Sequence, residues 1–297
     1  MEHLLSHTQS LFNHIYWFKQ DLQLLPRKDH IASAINWTDI KERKHEFLRE
    51  LINTVTSWVY NNEQTQQIIE RRLKLTEGDH GNAASFLTNQ ALSKFRPGHP
   101  QGQFGELLLF NFIQHFFKAV PILRKQRITT STGHERFGAD AIHFCNDEIN
   151  NNNIFLGESK CYKSEYKFKE AFEVSLSSIS NTFKNFDNEL DLYVYDDFIE
   201  PELQEIAEKY KNNVLDNVHF ELVCLIAYNE NKARTGEKES EIKDSIKTII
   251  EKRCSSINLE CYNSVQKSLL SRINYVIFPI WELDQLLYDF QTRVGTL

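Results

Sequence analysis

The sequence predicts a helix-rich α/β protein, and three observations carry that reading. Aromatic residues are abundant, with 21 Phe and 11 Tyr, while Gly and Pro number only 10 and 6 in 297 residues. That composition suits a chain with a substantial core rather than a disordered or repetitive one. Apolar residues at three-four spacing recur in several long segments, as in amphipathic helices. Between them lie two β-prone runs, 139–145 and 154–162, separated by Asn146-Asp-Glu-Ile-Asn-Asn-Asn-Asn153. A polar, Asn-rich interruption between apolar runs is the signature of a β-hairpin.

Residues 1–25 read as helical, ending near Pro26, although their apolar spacing is not cleanly amphipathic. A long helix is expected from about 39 to 75, capped by Thr38 or Asp39, with Phe47, Leu48, Leu51, Val55, Trp58 and Val59 as its buried stripe. A further helix, started by Asn82 or Ser85, reaches Phe95. Pro97-Gly98-His99-Pro100-Gln101-Gly102 is the strongest turn cluster in the chain and suggests a boundary. A helical N-terminal region, 1–96, would precede a core of 97–297.

The core opens with a helix, 104–120, stopped by Pro121. Its Glu106, Phe110, Ile113 and Phe117 share one face. Ile122–Thr130 is the expected first strand, and the hairpin supplies two more. An amphipathic helix, 166–185, follows with Phe168, Phe172, Leu176, Ile179 and Phe183 as its apolar positions. Pro201 starts a short helix to 211, since proline favours the first helical turn. Val218–Tyr228 is a further strand, helical segments run to about 270, Ile273–Pro279 is a last strand, and Trp281–Thr292 a closing helix.

In an antiparallel pair, opposed residues have a constant sum of numbers and share a face. A turn centred near 149 or 150 gives a sum of 298 or 300. Asp140 then lies opposite Glu158 or Lys160, and those two share a face because strand side chains alternate. The spacing therefore permits two carboxylates and one ammonium to converge. Carboxylate oxygens of this kind hold Mg²⁺, which polarises a phosphodiester and activates water. A neighbouring lysine can orient or deprotonate that water, or stabilise charge developing on phosphorus. The blander alternative is a cross-strand ion pair. Glu-x-Lys also occurs at 42–44, 165–167, 230–232 and 241–243, so the tripeptide alone carries no weight. The nearest rival is Asp216 with Glu230-Asn-Lys232, whose tripeptide falls beyond its apolar run.

Asp140 with Glu158-Ser159-Lys160 resembles the motif of the PD-(D/E)XK nuclease superfamily, and helix, three strands, helix and strand is the αβββαβ order of its core. That resemblance implies a mixed sheet flanked by helices. Gly105-Glu106-Leu-Leu, Phe137-Gly-Ala-Asp140-Ala-Ile-His, Leu156-Gly-Glu158-Ser-Lys160 and Ile277-Phe-Pro-Ile280 before a helix are more narrowly similar to the HamA family, the nuclease subunits of the Hachiman anti-phage system. The likeness covers roughly 40–295. Ala139 stands where the superfamily often has proline, a position without chemistry. The family implies a metal-dependent DNase, using Mg²⁺ or alternatively Mn²⁺, held by a superfamily 2 helicase, HamB. Asp140 and Glu158 would bind metal, the Ser159 carbonyl would complete the coordination, Lys160 would handle the water, and Glu106 would be an accessory acid. Glu106 is equally explained by the dipole of its own helix.

The net charge of −7 sits awkwardly with DNA as partner. However, Lys118, Arg124, Lys125, Arg127 and Arg136 precede the hairpin and Lys163, Lys167 and Lys169 follow it, a potential basic rim. Residues 186–208 carry nine acids and no Lys or Arg. Either segment is equally well explained as solvated surface. Five cysteines without a Cys-x-x-Cys pair argue against disulfides or zinc, and Cys161 should point away from Glu158. No apolar stretch approaches a membrane span and no secretion signal opens the chain, so a cytoplasmic protein is expected. Glycine-rich phosphate loops, Gly-x-Ser-x-Gly and His-Glu-x-x-His are absent, so any ATP-driven work lies on another chain. The contrasting reading is a noncatalytic subunit on a nuclease-like fold, binding nucleic acid or a partner.

Overall fold

Two N-terminal strands, the first of them within the stretch read from sequence as helix, form one edge of the sheet. The computed structural model describes residues 1–39, 41–98, 100–124, 138–147, 151–164, 167–193, 199 and 201–296. After helix α1 (Gln9–Phe12), β1 (Ile15–Asp21) pairs antiparallel with β2 (Asp29–Ile35), Ile15 opposite Ile35 and Asp21 opposite Asp29. The period explains the correction to the helical reading of 1–25. Ile15 enters the core on one face of the sheet while Tyr16 and Phe18 enter the core on the other. Side chains alternating between two faces specify a strand.

A two-stranded ribbon, β3 (Trp37–Thr38) and β4 (Lys41–Glu42), leads to α2 (Lys44–Asn53), α3 (Val55–Val59), α4 (Asn62–Leu75) and α5 (His80–Leu92). The single helix expected over 39–75 is thus three. Tyr60 turns extended, and Asn61 restarts the helix with a capping box: its side chain accepts from the Gln64 amide at 2.8 Å, and Gln64 accepts from the Asn61 amide at 3.2 Å. Phe47, Leu48, Leu51, Val55, Trp58 and Val59 are all buried, as the stripe predicts. Asp79, rather than Asn82 or Ser85, caps α5 by accepting from the Asn82 amide.

The core follows as α6 (Pro100–Phe117), β5 (Val120–Leu123), β6 (Ala141–Asn146), β7 (Asn152–Tyr162), α7 (Phe168–Tyr193), α8 (Pro201–Lys211), β8 (Val218–Asn229), α9 (Glu239–Cys254), α10 (Lys267–Leu270), β9 (Ile273–Ile280) and α11 (Leu283–Val294). The order α6-β5-β6-β7-α7, completed by β8, is the αβββαβ order expected. Pro121 does not stop the helix. α6 ends at Phe117, Lys118 takes φ 52°, and Pro121 sits within β5, an edge strand where a missing N–H is tolerated. Of the strand expected over 122–130, residues 125–130 lie outside the described residues.

The seven strands run in the order β1-β2-β9-β8-β7-β6-β5, with parallel pairs through β2, β9, β8 and β7 and antiparallel pairs at both ends. Each face carries its own core. Phe104, Leu108 and Phe112 of α6 pack with Phe47, Phe278 and Phe290 on one, and Phe172 and Leu176 of α7 pack with Tyr228, Tyr275 and Ile277 on the other. Residues 222–228 of β8 are buried throughout and read as an unbroken apolar run. Residues before Pro97 and after Pro100 pack into the same core.

Glu230, just beyond β8, is 2% exposed. It accepts from the amides of Asn231 and Lys232 at 3.0 and 2.9 Å and from the Arg253 guanidinium, whose Nε lies at 2.9 Å. Burial acts to raise its pKa, but these donors outweigh it and the net shift is downward. The rival pairing is thereby resolved. Asp216 precedes the start of β8 and Glu230 follows its end, about 40 Å apart at strand rise. Arg253→Met should destabilise the fold by about 3–5 kcal/mol by stranding a buried charge. A folded-state pKa below the unfolded one stabilises above the unfolded value, and the contribution fades as pH falls through the folded one. Urea midpoints of the variant and parent should therefore differ at neutral pH and converge in acid.

Candidate functional site

β6 and β7 are paired with Ala141 opposite Gly157 and Asn146 opposite Asn152, a sum of 298. One residue further, Asp140 lies beside Glu158, with the Asp140 amide donating to the Gly157 carbonyl at 3.0 Å. Ile142, Phe144, Ile154 and Leu156 enter the core beneath α7, whereas Ala141 and Phe155 enter the core beneath α6. The even-numbered Glu158 and Lys160 therefore belong to the α7 side. Lys160 Nζ donates to Glu158 Oε2 at 3.1 Å. Asp140 Oδ2 accepts from the Ser159 amide at 2.9 Å and from its hydroxyl at 3.1 Å. Asp140, Glu158, Ser159 and Lys160 thus come together.

Two glycines let α6 lie close against this strand. A Cβ on Gly105 would stand 3.0 Å from Ser159 Oγ, and one on Gly157 would stand 2.9 Å from Ile113 Cδ1 and Leu109 Cδ2. Glu106 follows Gly105 and is half-buried, its carboxylate lying back along the helix toward Gly102. Cys161 packs toward α6, away from Glu158, as the alternation predicts.

From the other side, α7 contributes two hydroxyls absent from the sequence reading. Ser178 Oγ donates to Glu158 Oε2 at 2.6 Å, and Thr182 Oγ1 donates to Oε1 at 2.5 Å. They fall four residues apart, beside the apolar positions Leu176, Ile179 and Phe183. That i,i+4 spacing was their only sequence signal.

Glu158 is 3% exposed. Burial raises its pKa, and the Asp140 charge raises it further, against the opposing pull of Lys160, Ser178 and Thr182. Burial works to lower the Lys160 pKa, but the two carboxylates outweigh it and the net shift is upward, so Lys160 is held as an ammonium. Two carboxylates, one of which raises the pKa of the other, with Lys160 as the ammonium beside them, form a donor set suited to a hard cation. Among the described residues, no three His, Cys, Asp or Glu side chains gather as a metal cluster. A metal here would rest on Asp140 and Glu158, with further oxygens from backbone and water.

The basic rim is corrected in part. Arg124 is 4% exposed and donates through Nε to the Ser57 carbonyl at 3.1 Å, so it ties β5 to α3. Lys163 pairs with Asp284 at 3.4 Å and Lys167 with Glu170 at 2.8 Å, while Lys118 and Lys169 are exposed. Lys125, Arg127 and Arg136 lie outside the described residues. In the acidic segment, Asp187 accepts from the Tyr210 hydroxyl at 2.7 Å, Glu205 pairs with Lys209 at 2.7 Å, and Glu202 meets His3 at 2.9 Å. Asp196, Asp197 and Glu200 lie outside the described residues.

The helix-flanked mixed sheet, with its acid-rich hairpin end, defines a mixed α/β protein with a nuclease-like core. The family model HamA matches residues 13–294, and the chain belongs to the HamA family, components of the Hachiman antiviral defence system. A search of curated proteins returns no match. Among the described residues, no helix is long and apolar enough to cross a membrane.

The α6–β7 contact is open to a direct test. Gly157→Ala should cost about 1–3 kcal/mol by overpacking. Its Cβ would meet Ala141 Cβ at 3.1 Å as well as two methyl tips that can shift. Urea unfolding measures the loss.

Proposed function

We propose that this protein is a metal-dependent DNA nuclease, the effector of a Hachiman defence complex under the control of a partner helicase. The observation that carries the reading is the convergence of Asp140, Glu158 and Lys160 where β6 meets β7. Family membership supplies the defence context; DNA as substrate and a superfamily 2 helicase as partner are part of the proposal.

Asp140 and Glu158, with the Ser159 carbonyl, would hold Mg²⁺ or Mn²⁺; such an ion supplies a Lewis acid and a water of lowered pKa. The remaining chemistry belongs to the chain. Lys160, kept charged by the two carboxylates, holds a proton at Nζ. From there it can donate to a non-bridging phosphate oxygen as charge accumulates, or orient the attacking water. Ser159 fixes Asp140 by two hydrogen bonds, which limits the carboxylate's freedom before substrate arrives. Glu106, from α6, serves as an accessory acid. Exposed lysines such as Lys169 can meet phosphates along the strand.

Purified protein, alone and with its helicase, is to be incubated with linear and plasmid DNA in Mg²⁺, in Mn²⁺ and in EDTA. Cleavage should require the metal, and Asp140→Ala, Glu158→Ala and Lys160→Ala should each lower the rate at least about 100-fold while remaining folded. Cleavage unchanged by these substitutions would place the activity elsewhere. Wild-type protein that binds DNA or helicase without ever cutting would leave a noncatalytic subunit as the correct reading.

A further inference from the structure

We infer that Ser178 and Thr182 of α7 are positioning residues that hold the Glu158 carboxylate in the orientation in which it receives a divalent cation. The inference rests on the nuclease reading only in identifying the cation as the ligand.

Helical Ser and Thr hydroxyls ordinarily bond back to the carbonyl four residues earlier. This chain follows that habit repeatedly. Ser180, between the two residues in question, donates to the Leu176 carbonyl at 2.8 Å, and Thr88, Thr248 and Thr292 donate to the carbonyls of Ala84, Asp244 and Tyr288. Ser178 and Thr182 depart from it. Both hydroxyls leave their own helix and donate across to Glu158, at 2.6 and 2.5 Å. Thr182 is 5% exposed and Glu158 3%, so water cannot readily replace the bond.

The two donors fix the carboxylate about both of its oxygens. Each carboxylate oxygen has two acceptor directions. Thr182 takes one on Oε1; Ser178 and Lys160 take the two on Oε2. One direction on Oε1 is left over by these three donors, so Glu158 is prepared to offer a single oxygen while its plane is held by α7. Outer hydroxyls that orient a ligating carboxylate typically carry 10–100-fold of metal affinity.

The test uses the full-length chain. Mn²⁺ is titrated by calorimetry into wild type, Thr182→Val, Thr182→Ser, Ser178→Ala and Glu158→Gln. A Mg²⁺-dependent shift in unfolding temperature gives a second readout. Thr182→Val and Ser178→Ala should weaken Mn²⁺ binding by about 10–100-fold, and Thr182→Ser should restore it. In cleavage assays the same variants should need more metal yet approach the wild-type rate when it is saturating. A purely structural role would lower the metal-free unfolding temperature and leave the Mn²⁺ titration unmoved, which overturns the inference. Tighter binding by either variant would mean that the hydroxyls compete with the cation, and also overturns it. If wild type and Glu158→Gln bind alike, the nuclease site itself is misplaced and the inference falls with it. Should Thr182→Val fail to fold, Ser178→Ala and Thr182→Ser decide the matter.

Discussion

The register of β6 against β7 is the constraint on which the site depends. Shifted by one residue, the pairing would turn β6 over relative to β7, so that Ile142 would face the wrong core and Asp140 would leave its place beside Glu158. Two features hold the register. At the closed end, Asp147 accepts from the Asn151 backbone amide and side chain at 2.8 Å each, and Asn146 donates to Asn152 at 2.9 Å. The Asn-rich interruption is thus more than a turn; its side chains bracket the two strands. At the open end Gly157, without a side chain, allows α6 to close on β7 beside Ala141. A side chain in register with Ala141 would crowd α6 against the strand that carries Glu158 and Lys160.

Strands β7, β8, β9 and β2 run parallel, so their carboxyl ends gather along one edge of the sheet. Ligands of open α/β sheets bind along such edges, because the chain leaves each strand there as a loop. Here the loops are tied to their neighbours. Lys163, after β7, pairs with Asp284 at the start of α11. Trp281, after β9, donates to the Lys232 carbonyl at 2.8 Å, and Arg234 lies 3.4 Å over the Trp37 ring. Glu158 and Lys160 thus occupy the C-terminal half of an anchored interior strand, while the acids of α8 lie at the flank of the core, two of them paired with His3 and Lys209.

Local rules explain what the sequence revealed and what it withheld. Hairpin geometry was legible because it depends only on a period of two and the position of a polar turn; it left two registers open, and the observed one puts Asp140 beside Glu158. Buried stripes in α2, α3, α6 and α7 were legible from three-four spacing. The strand β1 was not, since Ile15-Tyr-Trp-Phe18 is apolar throughout and its alternation appears only when both faces have partners. The break before α4 was written in the sequence as Asn61-x-x-Gln64, but the apolar stripe on either side masked it. Arg124 read as surface charge because nothing local marks a carbonyl 67 residues earlier as its acceptor. Ser178 and Thr182 were illegible for the same reason: their acceptor lies on another element.

Two glutamates at this end of the sheet show how burial serves different ends. Glu230 and Glu158 are similarly hidden from solvent, at 2% and 3% exposure. Glu230 receives a guanidinium and two backbone amides, and its pKa falls below the ordinary carboxylate value. Glu158 receives one ammonium and two hydroxyls, and its pKa rises, because burial is joined by the charge of Asp140. Neutral hydroxyls orient a carboxylate but neutralise nothing, whereas a guanidinium does both. If α7 offered an arginine in place of Thr182, the carboxylate would be satisfied and closed, as at Glu230. By offering hydroxyls instead, it fixes the geometry and leaves part of the negative charge uncompensated. A buried anion in that condition is stabilised by whatever further positive charge can reach it.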